Sequence, residues 1–479
     1  MSAHHQTLFI GGQWVKPYSS TRIEVVSATT EEIIGSVPEG NKADIDRAVS
    51  AARRAFTESP WGTCTPAERG AALGRFADAI EKRGPQLARA VSMQNGMPIN
   101  VADQLESGFV VGMLRYYSAL ASALQTEETR SSPMGVTTLV RREPVGVVGA
   151  IIPWNFPVAL SMMKIGPALA AGCTVVLKPS PETVLDCYLV AQAAEEAQLP
   201  PGVLNWVPGG RELGAYLVTH PGIDKVAFTG STAAGRVIAQ ECGRLLRPVS
   251  LELGGKSAAI ILDDANLDAF LQGIPSASML NSGQACFSCT RILAPNSRYK
   301  EIVDAISATV SSFVVGDPLD RATIVGPMAS SIHRERVERY IAKGKSEATL
   351  AAGGGRPPDH ERGWFVQPTV FADVSNSAVI AQEEIFGPVL SIIRYKNEDD
   401  AVSIANDSEY GLGGTVWSSD VERATRLARR VESGTVGING YLPDLNAPFG
   451  GIKASGLGRE LGPESIASYQ QYKSVYLLG

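Results

Sequence analysis

Cysteine is scarce in this chain: 479 residues contain only six, scattered from Cys64 to Cys289. So low a count excludes a disulfide-stabilised secreted scaffold and favours a reducing cytoplasm. Positive charge is also not in excess, because the formal net charge is −6. Without a basic surface the chain has no footprint for nucleic acid or anionic membranes, so we expect neither as a partner.

Long apolar runs are missing as well. The most apolar stretch, residues 145–177, is interrupted by three prolines, an asparagine and a lysine, and therefore does not predict a membrane span. The first residues lack a basic segment followed by an apolar one, so they do not predict a signal peptide. Together these absences predict a globular, cytoplasmic protein without a membrane partner.

Short β-rich runs alternate with helical patterns along most of the chain. Strands are predicted at VGVVGAII, CTVVLK and KVAFTG, and a second series begins with SAAIIL after SLELGGK. Helices are predicted from about Lys42, over 66–84 and over 99–124. This alternation is typical of α/β folds with doubly wound parallel sheets, here in two domains.

The predicted first domain covers 1–123 and 145–254, and the second covers 255–454. Two strand-like segments, 124–144 and 463–479, fall outside both series. Exposed strand edges recruit partners, so these segments are expected to pair with each other or with another subunit as a small oligomerisation element.

Two features lie where strands of the first series end, which is the ligand-facing edge of such sheets. In KVAFTGSTAAGR, Gly230 and Ser231 open a helix whose free N–H groups could hold a pyrophosphate. Ser-Thr at a helix start is also an ordinary N-cap, and no GxGxxG motif follows a strand. Lys178 in TVVLKPS could donate to a ribose, or could simply be a solvated lysine.

Cys286 and Cys289 form a C-x-x-C within NSGQACFSCTR. A metal site would need further ligands, and there is no second C-x-x-C and no cluster among the five histidines, so we expect no metal. A dithiol site and a buried inert thiol both remain possible. The Gly-Gln turn before Cys286 favours it as a nucleophile.

Two polar residues stand in unusual surroundings. Glu252 lies in the otherwise apolar SLELGGKS, where it is either on an exposed strand face or a general base with a raised pKa. Asn155 lies between two prolines in PWNFP, where it is either a turn residue or a fixed donor to a developing oxyanion.

The motifs PWNFP, LKPS, FTGST, LELGGKS, GQACxxxxR, EEIFGP and PFGGxKxSGxGRE occur in this order over almost the whole chain. In their order and spacing the chain resembles the aldehyde dehydrogenase superfamily. Glu252 precedes Cys286 by 286 − 252 = 34 residues, which is similar to the spacing in the hydrolytic members. The resemblance implies an NAD(P)-binding domain, a catalytic domain and a bridging element as the three parts defined above.

The resemblance implies that Cys286 attacks the aldehyde carbonyl and that Asn155 and the Cys286 backbone N–H hold the oxyanion. The thiohemiacetal loses a hydride to the nicotinamide, and Glu252 activates the water that hydrolyses the thioester. Lys164 and Glu460 assist as relay residues. The substrate is a small-molecule aldehyde, and the assembly a homodimer or homotetramer.

By the same resemblance, other residues contact the cofactor or the substrate. Those implied for the cofactor are Ile152, Pro153, Trp154, Asn155, Lys178, Ser180, Pro181, Gly210, Phe228, Gly230, Ser231, Leu253, Glu384 and Phe386. Those implied for an aldehyde tunnel are Phe156, Met163 and Phe449, which are apolar and favour aliphatic, terpenoid or aromatic aldehydes.

Two departures from the family pattern concern the cofactor and the second thiol. Many NAD-preferring members carry a glutamate where this chain has Pro181, with the acid one position later at Glu182, so we expect NAD and leave NADP open. Cys289 is not a family element, and is either a spectator or a partner of Cys286 in a reversible disulfide.

The same residues distinguish this function from its rivals. Glu252 argues against a CoA-acylating relative or an acid reductase, which typically lack it. The intact set Cys286, Glu252 and Asn155 argues against an inactive structural protein of the lens-crystallin kind. A thiol–disulfide or metal protein would have to act independently of Glu252.

Overall fold

A computed structural model describes residues 3–477. Its strands are β1 (Ala3–His4), β2 (Leu8–Ile10), β3 (Gln13–Val15), β4 (Arg22–Val26), β5 (Ile33–Pro38), β6 (Glu127–Ser131), β7 (Thr137–Pro144), β8 (Val147–Ile151), β9 (Thr174–Lys178), β10 (Leu204–Trp206), β11 (Lys225–Thr229), β12 (Val249–Glu252), β13 (Ala258–Ile261), β14 (Arg291–Pro295), β15 (Thr349–Ala352), β16 (Thr369–Ala372), β17 (Val389–Tyr395), β18 (Tyr410–Gly411), β19 (Gly414–Trp417), β20 (Gly437–Ile438), β21 (Ile452–Lys453), β22 (Gly456–Leu457) and β23 (Gln470–Leu477).

The α-helices are α1 (Lys42–Thr57), α2 (Pro66–Glu81), α3 (Gly84–Asn95), α4 (Ile99–Ala102), α5 (Phe109–Ser122), α6 (Pro157–Ala171), α7 (Leu185–Glu196), α8 (Arg211–Thr219), α9 (Thr232–Arg244), α10 (Leu267–Ala277), α11 (Tyr299–Ser311), α12 (Ser331–Glu347), α13 (Val379–Gln382), α14 (Glu398–Asn406), α15 (Val421–Ala428) and α16 (Glu464–Ala467). Three 3-10 turns span Pro60–Thr63, Leu280–Gly283 and Asn296–Arg298, and a π-helical turn, Asp103–Gly108, joins α4 to α5.

Two large sheets confirm the predicted pair of doubly wound α/β layers. The first has the order β22-β12-β11-β8-β9-β10-β2-β3, and its five central strands, β12 to β10, are parallel. The second has the order β15-β16-β17-β14-β13-β19-β20, parallel except for β15 at its edge. The chain passes from one sheet to the other between β12 and β13.

The central strands of each large sheet are buried on both faces, and most of their residues are apolar. In β8, Val148 and Ala150 enter one hydrophobic core while Val147 and Ile151 enter another. In β13 the residues alternate in the same way between two further cores. Parallel strands that are buried on both faces consist of nearly continuous apolar runs, and such runs predicted these strands from the sequence.

The strand-like segments outside the two series pair with each other. β7 lies between β6 and β23 in a three-stranded antiparallel sheet, with Gln470 opposite Pro144 and Leu477 opposite Thr137. Residues 1, 2, 478 and 479, which the predicted outer parts include, lie outside the described residues.

The helices differ from the prediction in three places. The single helix predicted over 66–84 is α2, and α3 begins as a separate helix at Gly84 with Pro85 in its first turn. The helix predicted over 99–124 is interrupted by the π-helical turn, and α8 was not predicted. No helix among residues 3–477 is long and apolar enough to cross a membrane.

Candidate active site

Cys286 lies in the loop between the 3-10 turn Leu280–Gly283 and β14, and its side chain is half-buried. Asn281 and Ser282 have positive φ angles of 49° and 59°, a conformation that non-glycine residues adopt only when the surroundings enforce it. Gly283 follows with a φ of 77°, and a Cβ there would lie 2.2 Å from the Gly387 carbonyl oxygen. These backbone angles and the close approach to Gly387 fix the conformation of residues 281–283, and this segment positions the Cys286 thiol that follows it.

The thiol of Cys286 is protonated at neutral pH in this environment. Burial, together with the negative charges of Glu384 and Glu252, raises its pKa to about 12. Attack on a carbonyl consequently requires removal of the thiol proton during the reaction, which calls for a base close by.

Cys289 lies on the other side of the same loop. Its side chain is fully buried in a core of the second sheet with Phe270 and Trp417, whereas Cys286 packs against a core of the first. The Thr415 hydroxyl donates weakly to its sulfur at 3.8 Å. A disulfide with Cys286 would require Cys289 to leave this core, which supports its role as a spectator.

Asn155 directs its side-chain amide at the Cys286 loop. Its Nδ2 donates to the carbonyl of Gln284 at 3.0 Å, two residues before the thiol. Its own carbonyl accepts from the side chains of Asn95 (3.2 Å) and Asn281 (3.0 Å). A residue held from both sides in this way is more than a solvated turn asparagine.

Glu252 ends β12 and is 3% exposed, so it does not lie on a solvated strand face. Neither carboxylate oxygen has a hydrogen-bond partner among the described residues. Burial raises its pKa well above the ordinary value, the negative charge of Glu460 raises it further, and Lys164 opposes the shift. A bare carboxylate in this state has the properties of a general base.

Lys164 and Glu460 form a buried ion pair next to Glu252. The lysine Nζ lies 2.5 Å from Oε1 of Glu460 and donates to the Thr229 hydroxyl at 2.6 Å. Oε2 of Glu460 has no partner within the described part of the chain. Burial raises the pKa of Glu460, and the positive charge of Lys164 lowers it. The charges of this pair act on Glu252, which places the pair close to that carboxylate.

The residues predicted to bind the ribose and pyrophosphate of a dinucleotide lie near the carboxyl ends of β9 and β11. Lys178 is buried at the end of β9, where its Nζ donates to the carbonyls of Pro179 (2.8 Å) and Gly209 (2.6 Å). Gly210 precedes α8, and Ser231 is the N-cap of α9, accepting from the Ala234 N–H at 3.3 Å. The cap uses only an acceptor of Ser231, so its hydroxyl can still donate to a phosphate.

This edge fits a dinucleotide. A Cβ at Gly230 would lie 2.5 Å from the ring of Phe228, so only glycine leaves the backbone open in front of α9. Leu253 packs in the same way against Gly235. The hydroxyl of Ser180 donates to the exposed carboxylate of Glu182. The side chain of Glu182 therefore turns back toward the loop that follows Lys178. Ile152 is bonded to the Lys178 carbonyl by its N–H, 3.2 Å away, which places Pro153 and Trp154 beside this loop.

The other end of this surface is aromatic. Trp154 and Phe386 are in edge contact at 5.4 Å, and His333 contacts both rings, at 5.0 and 5.8 Å. Phe386 has a φ of 65°, and its carbonyl bonds to Nε2 of His333 at 2.6 Å. Glu384 is half-buried nearby and accepts from the Gly255 N–H at 2.9 Å. Sequence reasoning missed His333, because nothing in SIHRER distinguishes it from a surface histidine.

The predicted tunnel residues do come together. Phe156, Met163 and Phe449 are buried in one hydrophobic cluster, against which Cys286 and Phe287 pack. The sequence did not reveal Phe287 or its partner Tyr441, whose rings are stacked at 4.8 Å with an interplanar angle of 17°.

Tyr441 is fixed at its hydroxyl, which lies 2.5 Å from that of Thr435. A cavity of about 270 Å³ is lined by Thr435, Tyr441, Leu442, Pro443 and Phe449. The aromatic wall beside the thiol therefore continues into open space large enough for an organic side chain.

Comparisons with known proteins agree with this geometry. The aldehyde dehydrogenase family model matches residues 14–475. The geranial dehydrogenase of Castellaniella defragrans is 68% identical over 479 residues, covering 100% of both chains. The crystal structure of a Mycobacterium tuberculosis aldehyde dehydrogenase complexed with NAD+ has a TM-score of 0.98 and 46% identity, covering 100% of this chain and 99% of that one.

A further structure is that of an aldehyde dehydrogenase C mutant from Pseudomonas syringae, complexed with NAD+ and octanal. It has a TM-score of 0.94 and 39% identity, covering 98% of this chain and 96% of the other. Matches of this extent span both sheets and every site residue described above. The chain belongs to the aldehyde dehydrogenase family.

Proposed function

We propose that Cys286, Asn155 and Glu252 carry out the aldehyde oxidation of this family, on apolar aldehydes of the terpenoid kind such as geranial. The observation that carries the proposal is the meeting of three features in one cleft. These are a fixed thiol, an amide directed at its loop, and a buried carboxylate without partners.

The reaction begins with a proton transfer. Glu252 accepts the Cys286 proton as the sulfur forms a bond to the carbonyl carbon, and the aldehyde oxygen becomes an oxyanion. Nδ2 of Asn155 releases the Gln284 carbonyl and donates to that oxygen together with the Cys286 backbone N–H. When bound, NAD supplies the acceptor for the hydride that leaves the thiohemiacetal carbon.

The thioester then needs water. Glu252 removes a proton from the attacking water, the carbon–sulfur bond breaks, and the carboxylic acid is released with the thiol regenerated. The Lys164–Glu460 pair takes part as the route by which the proton leaves Glu252, since both lie buried beside it.

We propose that NAD is held by Lys178 and Glu182 at the adenosine ribose, by the α9 N-terminus with Ser231 at the pyrophosphate, and by Glu384 and Phe386 at the nicotinamide end. Glu182 supports NAD over NADP, because its carboxylate would repel a 2′-phosphate.

The proposed substrate class is based on the side chains near the Cys286 thiol. Phe156, Met163 and Phe449 belong to the hydrophobic cluster against which Cys286 and Phe287 pack, and Tyr441 stacks on Phe287. The 68% identity to a geranial dehydrogenase supports the same class. Such walls desolvate an apolar chain favourably. A second carboxylate would meet no positive charge in the cavity lining, and an ammonium group would meet only the carboxylate of Asp444.

The test is a panel of initial rates with NAD and NADP side by side, on geranial, octanal, benzaldehyde, succinic semialdehyde and betaine aldehyde. We expect the highest kcat/KM on geranial with NAD and the lowest on the two charged aldehydes. Higher kcat/KM on either charged aldehyde would contradict the substrate class.

We also propose the domain division predicted from the sequence, cytoplasmic location, and a homodimer or a dimer of dimers. Each of the six cysteines is a free thiol, which suits a reducing compartment. The sheet of β6, β7 and β23 exposes Tyr472 and Tyr476 on β23, an apolar surface that a second subunit could cover. Light scattering after gel filtration gives the mass that decides the assembly.

A further inference from the structure

A buried carboxylate that the proposed reaction does not use lies behind the oxyanion residue. Glu106 occupies the π-helical turn Asp103–Gly108 between α4 and α5, and its side chain is 0% exposed. Such turns insert an extra residue into a helix and are found frequently at functional sites.

Glu106 caps the helix that follows Asn155. Its Oε2 accepts from the N–H of Val158 at 2.7 Å and of Ala159 at 3.3 Å. Because α6 begins with Pro157, which has no N–H, these are the first two donors of the helix. The N-cap position, Phe156, offers no side-chain acceptor, so the cap is supplied from another element.

Capping from another element requires an acceptor oxygen and not a negative charge. The neighbouring helix α7 is capped from outside in a similar way by the neutral amide of Gln94, whose Oε1 accepts from Val184 (2.9 Å) and Leu185 (2.8 Å). Oε1 of Glu106 has no partner among the described residues. Burial raises the pKa of Glu106 to about 8, its hydrogen bonds to Val158 and Ala159 oppose the shift, and the negative charge of Asp186 adds to it.

The capped turn is continuous with the oxyanion residue. Two residues separate Asn155 from Val158, and the Asn155 carbonyl is held on its other side by Asn95 and Asn281. Further along the same helix, α6 carries Met163 and Lys164. A shift of its first turn would therefore displace the Asn155 amide relative to Cys286.

We propose that Glu106 is a positioning residue for the oxyanion site: it fixes the first turn of α6 and thereby the direction of the Asn155 amide. The proposal rests on the proposed role of Asn155.

The test is a double-mutant cycle on single-turnover NADH formation, measured with enzyme in excess over geranial and saturating NAD. E106A removes the cap and is expected to slow this rate about tenfold, since a displacement of 1 Å at a reacting group can cost up to about 100-fold. E106Q keeps an acceptor oxygen and is expected to recover most of the rate. In an N155A background, E106A should have no further effect.

Asp44 supplies the matched control, because it is a buried carboxylate in the capping box of α1, where it accepts from the Asn41 N–H, and it is far from the site in the chain. D44A is expected to lower the thermal midpoint, as E106A does, but to leave the single-turnover rate at the wild-type level. If E106A slows the rate equally in the N155A background, or no more than D44A does, the positioning role is wrong. If N155A itself has no effect, the proposed function of Asn155 fails instead.

Discussion

The backbones of Phe449 and Glu460 are hydrogen-bonded to each other in both directions, with N···O distances of 2.6 and 2.7 Å. Phe449 belongs to the apolar cluster beside Cys286, and the Glu460 carboxylate pairs with Lys164 beside Glu252. The proposed aldehyde wall and the ion pair next to the proposed base are thus joined through one pair of backbone hydrogen bonds.

Loss of one partner of the Lys164–Glu460 pair should lower the free energy of unfolding far more than loss of both. Glu460→Gln leaves a lysine buried without its counter-charge, which typically costs about 3–5 kcal/mol. The double variant Lys164→Met/Glu460→Gln should regain much of this loss. Denaturant unfolding of the three proteins measures both effects, and equal stability of the single and double variants would contradict the pairing.

The two cysteines of the C-x-x-C should differ completely in their effect on turnover. Cys286→Ala should abolish NADH formation from any aldehyde, because no other thiol reaches the cleft. Cys289→Ala should keep near wild-type activity and lose some stability through the small cavity left in its core. Loss of activity in Cys289→Ala at full folding, judged by circular dichroism, would show that this thiol takes part.

Glu252→Gln should separate the two halves of the reaction. Rapid mixing with aldehyde and NAD should give NADH up to one equivalent per subunit, formed more slowly than in the wild type because the Cys286 proton has lost its proposed acceptor. A steady state slower by about 100-fold, the usual contribution of a general base, should follow. The amide keeps the shape of the side chain but cannot accept a proton from water. A steady state as fast as that of the wild type would exclude Glu252 as the deacylation base.

The wild-type deacylation rate should rise with pH. The pKa of Glu252 lies well above its ordinary value, so the protonated, inactive form persists to higher pH than for an exposed glutamate. Raising the pH increases the carboxylate fraction and with it the rate. In Glu252→Gln the residual rate should lose this dependence, which a pH series of steady-state rates would establish.

Binding of NAD should weaken as the pH rises through the pKa of Lys178. Burial lowers that pKa to about 8, partly offset by the negative charge of Glu182. Above this pH the amine loses the charge that strengthens its hydrogen bonds to the ribose, so the KM for NAD should increase between pH 7 and 9. Lys178→Arg keeps its charge over this range and should flatten the profile; a steep profile in that variant would assign the titration to another group.

The stack of Phe287 on Tyr441 should determine which aldehydes fit. Tyr441→Ala removes one wall of the stack and should raise the KM for geranial while admitting bulkier aldehydes. Tyr441→Phe keeps the ring but loses the bond to Thr435, and should lie between the two. Comparing kcat/KM for geranial and octanal in the three proteins tests this, and an unchanged ratio would remove Tyr441 from the tunnel.

The sequence was most informative where chemistry coincides with strand ends. Glu252 and Lys178 end parallel strands, and Asn155 lies just beyond one, so local patterns located all three. The surroundings of these residues depend on contacts between distant segments: Tyr441 stacks on a ring 154 residues earlier, since 441 − 287 = 154. No local pattern reports such a contact, and sequence reasoning missed both aromatic residues.

The π-helical turn shows a different limit. Residues 99–124 have the apolar spacing of a continuous helix, and one inserted residue does not disturb that spacing enough to be seen. Its effect is to direct Glu106 toward α6, a consequence of backbone geometry alone. His333 was missed for a related reason, because its contacts with Trp154 and Phe386 depend on how α12 packs.

The return of the chain to its first sheet has a consequence for biosynthesis. β22 pairs with β12 along Leu251 and Glu252, and Glu460 follows three residues later. A chain emerging from its amino terminus contains Asn155, Glu252 and Cys286 long before residues 456–460 are made. The growing chain would therefore carry these three residues in an incomplete cleft until β22 and Glu460 have been made, which delays the appearance of activity to that point.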